Sequence, residues 1–470
     1  MADDLCWMSA AALAAAIKKK KVSPVEVTRA VLDRIERVNP ALNAFVTLTA
    51  DQAIKDARAA ERAVGRKGAR LGALHGVPFS TKDLVTTQGI RTTFGTRLYA
   101  DNVATEDAPI VERMKAAGAI QLGKTNTPTF GWIGATHNLL FGVTRNPWNR
   151  DRTPGGSSGG ASAAVAAGLG PLAIGTDGGG SIRIPASFAG IFGHKPSFGR
   201  IPIHPPSAAW SLSHVGPMTR TVEDAALMMN VCAGPDHRDQ FSLPGPAVDY
   251  VKALRGPVKG LRVAWCADFG FARVVDPEVK AVCQKAARRF RELGCRVDEV
   301  SPGWPNPKDF FLTIFCGSIA ARVAPYMAER RADVDPGLAD IVDRAMKWGP
   351  THYVQAWFDR LAWADHPRRL FDKYDLVLTP TIACRPFKVG LDNPTEIAGT
   401  PVEPYDWIPF TFPFNMTGHP AALVPCGFTS DRLPIGLQIV GRRFDDASVL
   451  RAAAAFEHLQ PWAQHRPVVA

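Results

Sequence analysis

Val27, Val31, Ile35 and Val38 recur at the spacing of one helical face, behind Ser23-Pro24-Val25-Glu26, a capping box with proline at the first helical position. The chain is helical in pattern to about residue 70, and residues 10–17 end in four lysines at 18–21, where a helix C-terminus favours cations. Asp276-Pro277-Glu278 opens another helix, expected to run to Leu293 and stop at Gly294. A last helix starts at Asp445 or Asp446 and carries Val449, Leu450, Ala453, Ala454 and Phe456. Short apolar runs at 261–265, 376–379, 421–424 and 435–440 are bounded by glycine, proline or polar turn formers and read as buried strands. Strands alternating with helices predict an α/β sandwich.

A chain of 470 residues with 46% hydrophobic content can bury a large core. No apolar run is seen to approach the roughly 20 residues of a membrane helix. The start is acidic and its basic run follows an apolar one, the reverse of a secretory signal. Eight cysteines, at 6, 232, 266, 283, 295, 316, 384 and 426, form no C-x-x-C pair and have no clustered histidines. They read as free thiols in a reduced cytoplasmic interior rather than as a metal site. The formal charge of +11 is scattered among acidic residues, which favours a solvated surface over a nucleic-acid face.

Two motifs are decoys. Residues 118–125 spell a phosphate loop, but 110–117 reads as helix, 119–122 as strand, and Pro128 blocks the helix that should follow. Residues 155–159 spell G-x-S-x-G, the hydrolase elbow, but 146–153 is polar and turn-rich where a strand is required. Ser157 as an elbow nucleophile, recruiting His419 or His458, is the alternative mechanism.

The chemistry concentrates in Pro154-Gly155-Gly156-Ser157-Ser158-Gly159-Gly160 and in Gly175-Thr176-Asp177-Gly178-Gly179-Gly180-Ser181-Ile182-Arg183, with Lys82 upstream in Gly76-Val77-Pro78-Phe79-Ser80-Thr81-Lys82-Asp83. Serine beside bare amides suits acyl transfer, a nucleophile and an oxyanion hole in one loop. A flexible linker would not be interrupted by the buried-helix run at 163–167.

These segments resemble the amidase signature family, and the likeness continues through Gly123-Lys124-Thr125-Asn126, Asn146-Pro147-Trp148-Asn149, Gly193-His194-Lys195-Pro196, Gly216-Pro217-Met218-Thr219-Arg220, Asn415-Met416-Thr417-Gly418-His419-Pro420 and Pro434-Ile435-Gly436-Leu437-Gln438. The resemblance implies an α/β fold in which one twisted mixed sheet is sandwiched between helices, a single domain over 1–470. Its helical segment 1–70 packs on that domain, and a divergent stretch at about 302–373 builds the substrate pocket. Ser181 falls on the family's nucleophile, Ser157 on its cis-peptide serine and proton relay, and Lys82 on its base. Backbone N–H groups of Gly178, Gly179, Gly180 and Ser181 would hold the oxyanion. Asp177 and Arg183 would brace the loop, with Ser158 in the same network. The lysine must be neutral, which burial favours, provided that Asp83 points elsewhere. No metal or organic cofactor is implied.

Two departures bear on substrate fit: Gly178, where the family often has a bulkier residue, and Thr129, where an acid is common. Trp304, Phe310, Phe311, Phe315, Tyr326, Met327, Trp348, Tyr353, Trp357 and Trp363 crowd the divergent stretch. They point to an apolar wall and to hydrophobic or aryl amides, with esters and carbamates (urethanes) open to the same carbonyl chemistry. The rival within the family is the glutaminase component of the glutamyl-tRNA(Gln) amidotransferase, whose glutamine-binding segment is not seen at 302–373. The partner expected is a small-molecule amide, with no nucleic acid, no membrane span and room for a homodimer.

Overall fold

The computed structural model describes residues 2–245 and 248–469; Met1, Pro246, Ala247 and Ala470, the ends of the expected 1–470 domain among them, lie outside the described residues. An 11-stranded mixed sheet forms the middle layer. From edge to edge it runs Phe45–Leu48, Ile120–Thr125, Pro78–Lys82, Leu172–Asp177, His214–Thr219, Phe192–Lys195, Ala421–Phe428, Pro434–Gly441, Leu376–Pro380, Arg262–Trp265 and Arg296–Glu299. Pro78–Lys82 is parallel to both of its neighbours, and the strands from Leu172 to Pro380 pair antiparallel in turn. Parallel pairing returns at Arg262–Trp265.

Successive strand residues face opposite sides. Leu376 and Leu378 enter one core with Val279, Val449 and Leu450 of the covering helices; Val377 enters the other with Ile184, Phe311 and Trp407. Helices therefore cover both faces, as the alternating pattern predicts.

The capping box forms: Ser23 Oγ accepts from Glu26 N–H, and the Glu26 carboxylate accepts from Ser23 N–H. The first 70 residues are not helical throughout. Helix Pro24–Leu42 closes at Asn43 in the left-handed region, and Asn39 Oδ1 accepts the N–H groups of Ala44 and Phe45. That turn delivers Phe45–Leu48 to the sheet edge. Helix Pro277–Arg288 ends sooner than Leu293, passing into a 3₁₀ turn at Arg289–Arg291 before Gly294 at φ 82°. The last helix spans Asp446–Leu459, with Asp445 capping it through Ser448 N–H.

One sequence expectation needs correction. Residues Lys308–Asp333 are long and apolar enough to cross a membrane, with mean hydropathy 1.4 over the most apolar window. The apolarity belongs to a helix face turned inward: Phe311, Ile314, Phe315, Ile319 and Val323 are buried in the second core. Short polar interruptions disguise the run in the sequence.

Candidate active site

The parallel strands Pro78–Lys82 and Leu172–Asp177 lie side by side and end together, placing their carboxyl ends at one crevice, where open α/β sheets bind ligands. Lys82 closes the first strand; Thr176 and Asp177 close the second. Residues 178–182 turn back into helix Arg183–Ala189, and residues 154–158 lead into helix Gly159–Ala166. Ser158 N–H donates to Ser181 O at 3.2 Å and ties the two loops. The Gly156–Ser157 peptide is cis, as the resemblance implies.

Lys82 is fully buried, and its Nζ lies 2.6 Å from Ser157 Oγ and 2.9 Å from both Ser158 Oγ and Thr176 Oγ1. Burial holds its pKa well below the ordinary lysine range, and the Asp177 charge only partly opposes this. Asp83 turns away, its carboxylate accepting from Thr93 N–H and, at 2.5 Å, from the Thr93 hydroxyl.

The proton directions in this cluster can be read. The Ser158 hydroxyl donates to Thr176 O at 3.1 Å, so toward Lys82 it accepts. Ser157 Oγ makes no hydrogen bond to a described residue other than Lys82. A neutral amine has a lone pair that an ammonium lacks, so Ser157, with its proton uncommitted, can turn from acceptor to donor. Thr176, which sequence reasoning did not place in the site, is the third hydroxyl; its signal was its position beside Asp177 in the signature.

Ser181 is the more open serine, 8% exposed against 2% for Ser157, and its Oγ makes no hydrogen bond to a described residue. The two hydroxyls are therefore not linked in this structure. Among the described residues, the N–H groups of Gly178, Gly179 and Ser181 have no acceptor. The Gly180 N–H, expected to face an oxyanion, donates instead to Asp177 Oδ1 at 2.7 Å. Gly180 sits at φ 139°, and a Cβ there would stand 2.6 Å from Thr411 Oγ1, so this turn accepts glycine alone.

Asp177 and Arg183 brace the loop as expected. Arg183 Nε and Nη2 donate to the two Asp177 oxygens at 2.9 and 3.0 Å, and Ile182 N–H adds a bond at 3.1 Å. Arg183 also donates to Gln438 Oε1 (2.7 Å), Asn415 Oδ1 (2.6 Å) and Thr411 O (2.9 Å). Burial pushes the Asp177 carboxyl up, but the Arg183 charge and hydrogen bonds outweigh it and hold the group well below the usual carboxylate range. Asn415 and Gln438 were missed as site residues although both stand in segments that carry the family likeness. Thr411 stands in none.

A cavity of about 320 Å³ reaches the cluster through Thr176, whose hydroxyl bonds Lys82; Lys82, Ser157 and Ser181 are not in its wall. Phe94, Tyr99 and Phe130 line it as one aromatic cluster, centroids 5.4 to 5.9 Å apart, with Val85, Ile110, Ile203 and Val215. The lining comes mainly from segments before residue 131 and from 202–215, rather than from the divergent stretch. That stretch instead backs the glycine loop: Phe311 and Phe315 stand 2.8 and 3.3 Å from where Cβ atoms on Gly179 and Gly178 would lie. A bulkier residue at 178 would meet Phe315. Trp304 and Trp363 pack with each other in the core. The acid missing at Thr129 comes from elsewhere, since the Thr129 hydroxyl donates to buried Asp335.

The decoys fall away. Helix Pro109–Ala116 precedes strand Ile120–Thr125, the wrong order for a phosphate loop. Residues 146–153 hold turns and isolated bridges, and no strand enters the 155–159 elbow spelling. His419 stacks on Phe371 and bonds Thr417, while His458 bonds Ala454 O on the last helix. Among the described residues no group of three or more His, Cys, Asp or Glu could hold a metal.

A family model described as Amidase matches residues 26–450. The chain is 43% identical to an acylamidase from Rhodococcus erythropolis over 99% of its length and 98% of the relative's. It is 39% identical to a glutamyl-tRNA(Gln) amidotransferase component from Moorella thermoacetica, over 99% of both chains. The fold superposes on a crystal structure described as a bacterial aryl acylamidase of the amidase signature enzymes, with TM-score 0.92, 37% identity and 97% of each chain covered.

Proposed function

The chain belongs to the amidase signature family and is an amide hydrolase acting on carbon–nitrogen bonds other than peptide bonds; we propose that it cleaves aryl and other apolar amides through an acyl-enzyme on Ser181. The observation that carries this reading is the buried Lys82–Ser157 pair at 2.6 Å beside an apolar cavity.

In this mechanism neutral Lys82 takes the Ser157 proton as Ser157 takes that of Ser181, and Ser181 Oγ attacks the substrate carbonyl. The developing oxyanion meets the N–H groups of Gly178, Gly179 and Ser181, which have no competing acceptor, while Gly180 keeps the loop in shape through Asp177. The proton returns by the same hydroxyls to the departing amine. Water then attacks the acyl-Ser181 ester with the same base. Esters and carbamates present the same carbonyl and are included in the reading. Eight buried cysteines outside any disulfide support a reducing cytoplasmic setting, with a small-molecule amide as partner.

Transamidation with glutaminase activity is the second reading, favoured by the Moorella relative. Against it, among the described residues no carboxylate lines the cavity to meet the ammonium of free glutamine. The test compares kcat/KM for anilides of increasing acyl length with glutamine hydrolysis. Anilide turnover with negligible glutaminase is expected; efficient glutaminase stimulated by glutamyl-tRNA(Gln), with anilides inert, would replace the proposal.

A further inference from the structure

We propose that Arg322 selects substrates whose cavity-bound half carries a carboxylate. This rests on the aryl-amide reading and deepens it. Arg322 stands in the last turn of helix Lys308–Val323 and contributes to the lining of the 320 Å³ cavity. Its Nη2 donates to Pro206 O at 3.2 Å. Among the described residues no carboxylate forms an ion pair with it.

Of the other polar groups around the cavity, the Thr86 hydroxyl is buried without a described partner, and two more are matched. His204 faces Glu106 at 3.4 Å, and the Tyr99 hydroxyl bonds that of Tyr326 at 2.8 Å. Arg322 is thus a solvent-exposed cation with no described carboxylate partner at the rim of a largely apolar cavity. A guanidinium fork fits a carboxylate with paired donors. The volume sits at the low end of the roughly 300–1,000 Å³ usual for ligand pockets, enough for one ring and a short substituent. A ring reaching from the Lys82 side would therefore bring its substituent toward the arginine.

The experiment uses acetanilides bearing a carboxylate or, for the neutral comparison, an acetyl group at the meta or para ring position. Kinetics are measured in wild type, Arg322→Gln and Arg322→Lys; calorimetric binding of the same pairs is measured in Ser181→Ala and Ser181→Ala/Arg322→Gln. In wild type one carboxylate isomer should exceed its neutral partner about tenfold in kcat/KM, through KM. That ratio should fall toward one in Arg322→Gln and partly survive in Arg322→Lys. Equal use of both members, or a ratio unchanged by Arg322→Gln, overturns the inference and leaves the amidase reading intact. Neither compound turned over, with the binding preference present in Ser181→Ala and lost in the double variant, sustains the arginine's role and overturns the aryl-amide reading instead.

Discussion

Lys82 and Lys195 each close a strand of the same sheet with a side chain fully out of water, and burial lowers both pKa values well below the ordinary lysine range. Their partners differ in kind. Lys82 meets three hydroxyls, which accept from an ammonium, and one of them, Ser157, has an uncommitted proton to donate to an amine. Lys195 donates to the carbonyls of His419 at 2.5 Å and Pro196 at 3.2 Å, which can only accept. Asp177 and Asp446 favour its charge, and Arg183 opposes it. Burial alone therefore does not single out a base; the reversibility of the hydrogen-bond partners does. In the proposed mechanism one lysine is the reagent, while the other ties the Phe192–Lys195 strand to the segment before Ala421–Phe428.

The widest separation between the two regions should come from substitution. Ser181→Ala is expected to reduce turnover to near background, and Lys82→Met or Ser157→Ala to cost about 10²–10⁴-fold in kcat. Lys195→Met should instead act on stability, since two buried carbonyls lose a donor, a loss of about 1–3 kcal/mol each. Steady-state kinetics and thermal melts on the same preparations separate these outcomes. A Lys195→Met protein that melts normally but is as dead as Lys82→Met would erase the contrast.

The pH profile sharpens it. Only the neutral amine of Lys82 accepts a proton, so acylation should rise with pH through its folded pKa and stay high in alkali. Because burial lowers that pKa, the rise should fall below the ordinary lysine range. Lys195→Met should keep the rise and Lys82→Met should lose it. Single-turnover acylation rates across pH decide the matter; a rate that declines as pH climbs through neutrality contradicts a lysine base.

The smallest effect tests the hydroxyl argument itself. Thr176→Val removes one acceptor from the Lys82 ammonium while keeping the side chain's shape. A roughly fivefold drop in kcat is expected. The alkaline rise should move to lower pH, because the lost bond favoured the charged form. An unmoved profile would mean that Thr176 is only part of the cavity wall.

What the chain order discloses follows the same division. Ser157 and Ser181 stood out as candidates because each sits in a dense glycine- and hydroxyl-bearing segment, whereas Lys82, in a segment with one glycine, stood out through the family resemblance. The brace was only half legible: Asp177 and Arg183 flank the nucleophile, but Thr411, Asn415 and Gln438 reach them from distant segments. Long amphipathic helices such as Pro24–Leu42 declare themselves by period. Phe192–Lys195 does not, because a strand of four residues containing glycine, histidine and lysine is buried by its neighbours rather than by its own apolarity. Gly180 shows the same limit at one atom, since composition cannot reveal that its N–H is already engaged by Asp177.

The Arg183 brace also sets a timetable. Its bonds to Thr411, Asn415 and Gln438 span 228, 232 and 255 positions. At about 5–20 residues per second, a ribosome reaches Gln438 on the order of 10–50 s after adding Arg183. Through that interval the growing chain carries Ser181 on a loop that lacks its distal anchors. In the proposed mechanism, hydrolytic competence therefore waits until Thr411, Asn415 and Gln438 have been made and have docked on Arg183.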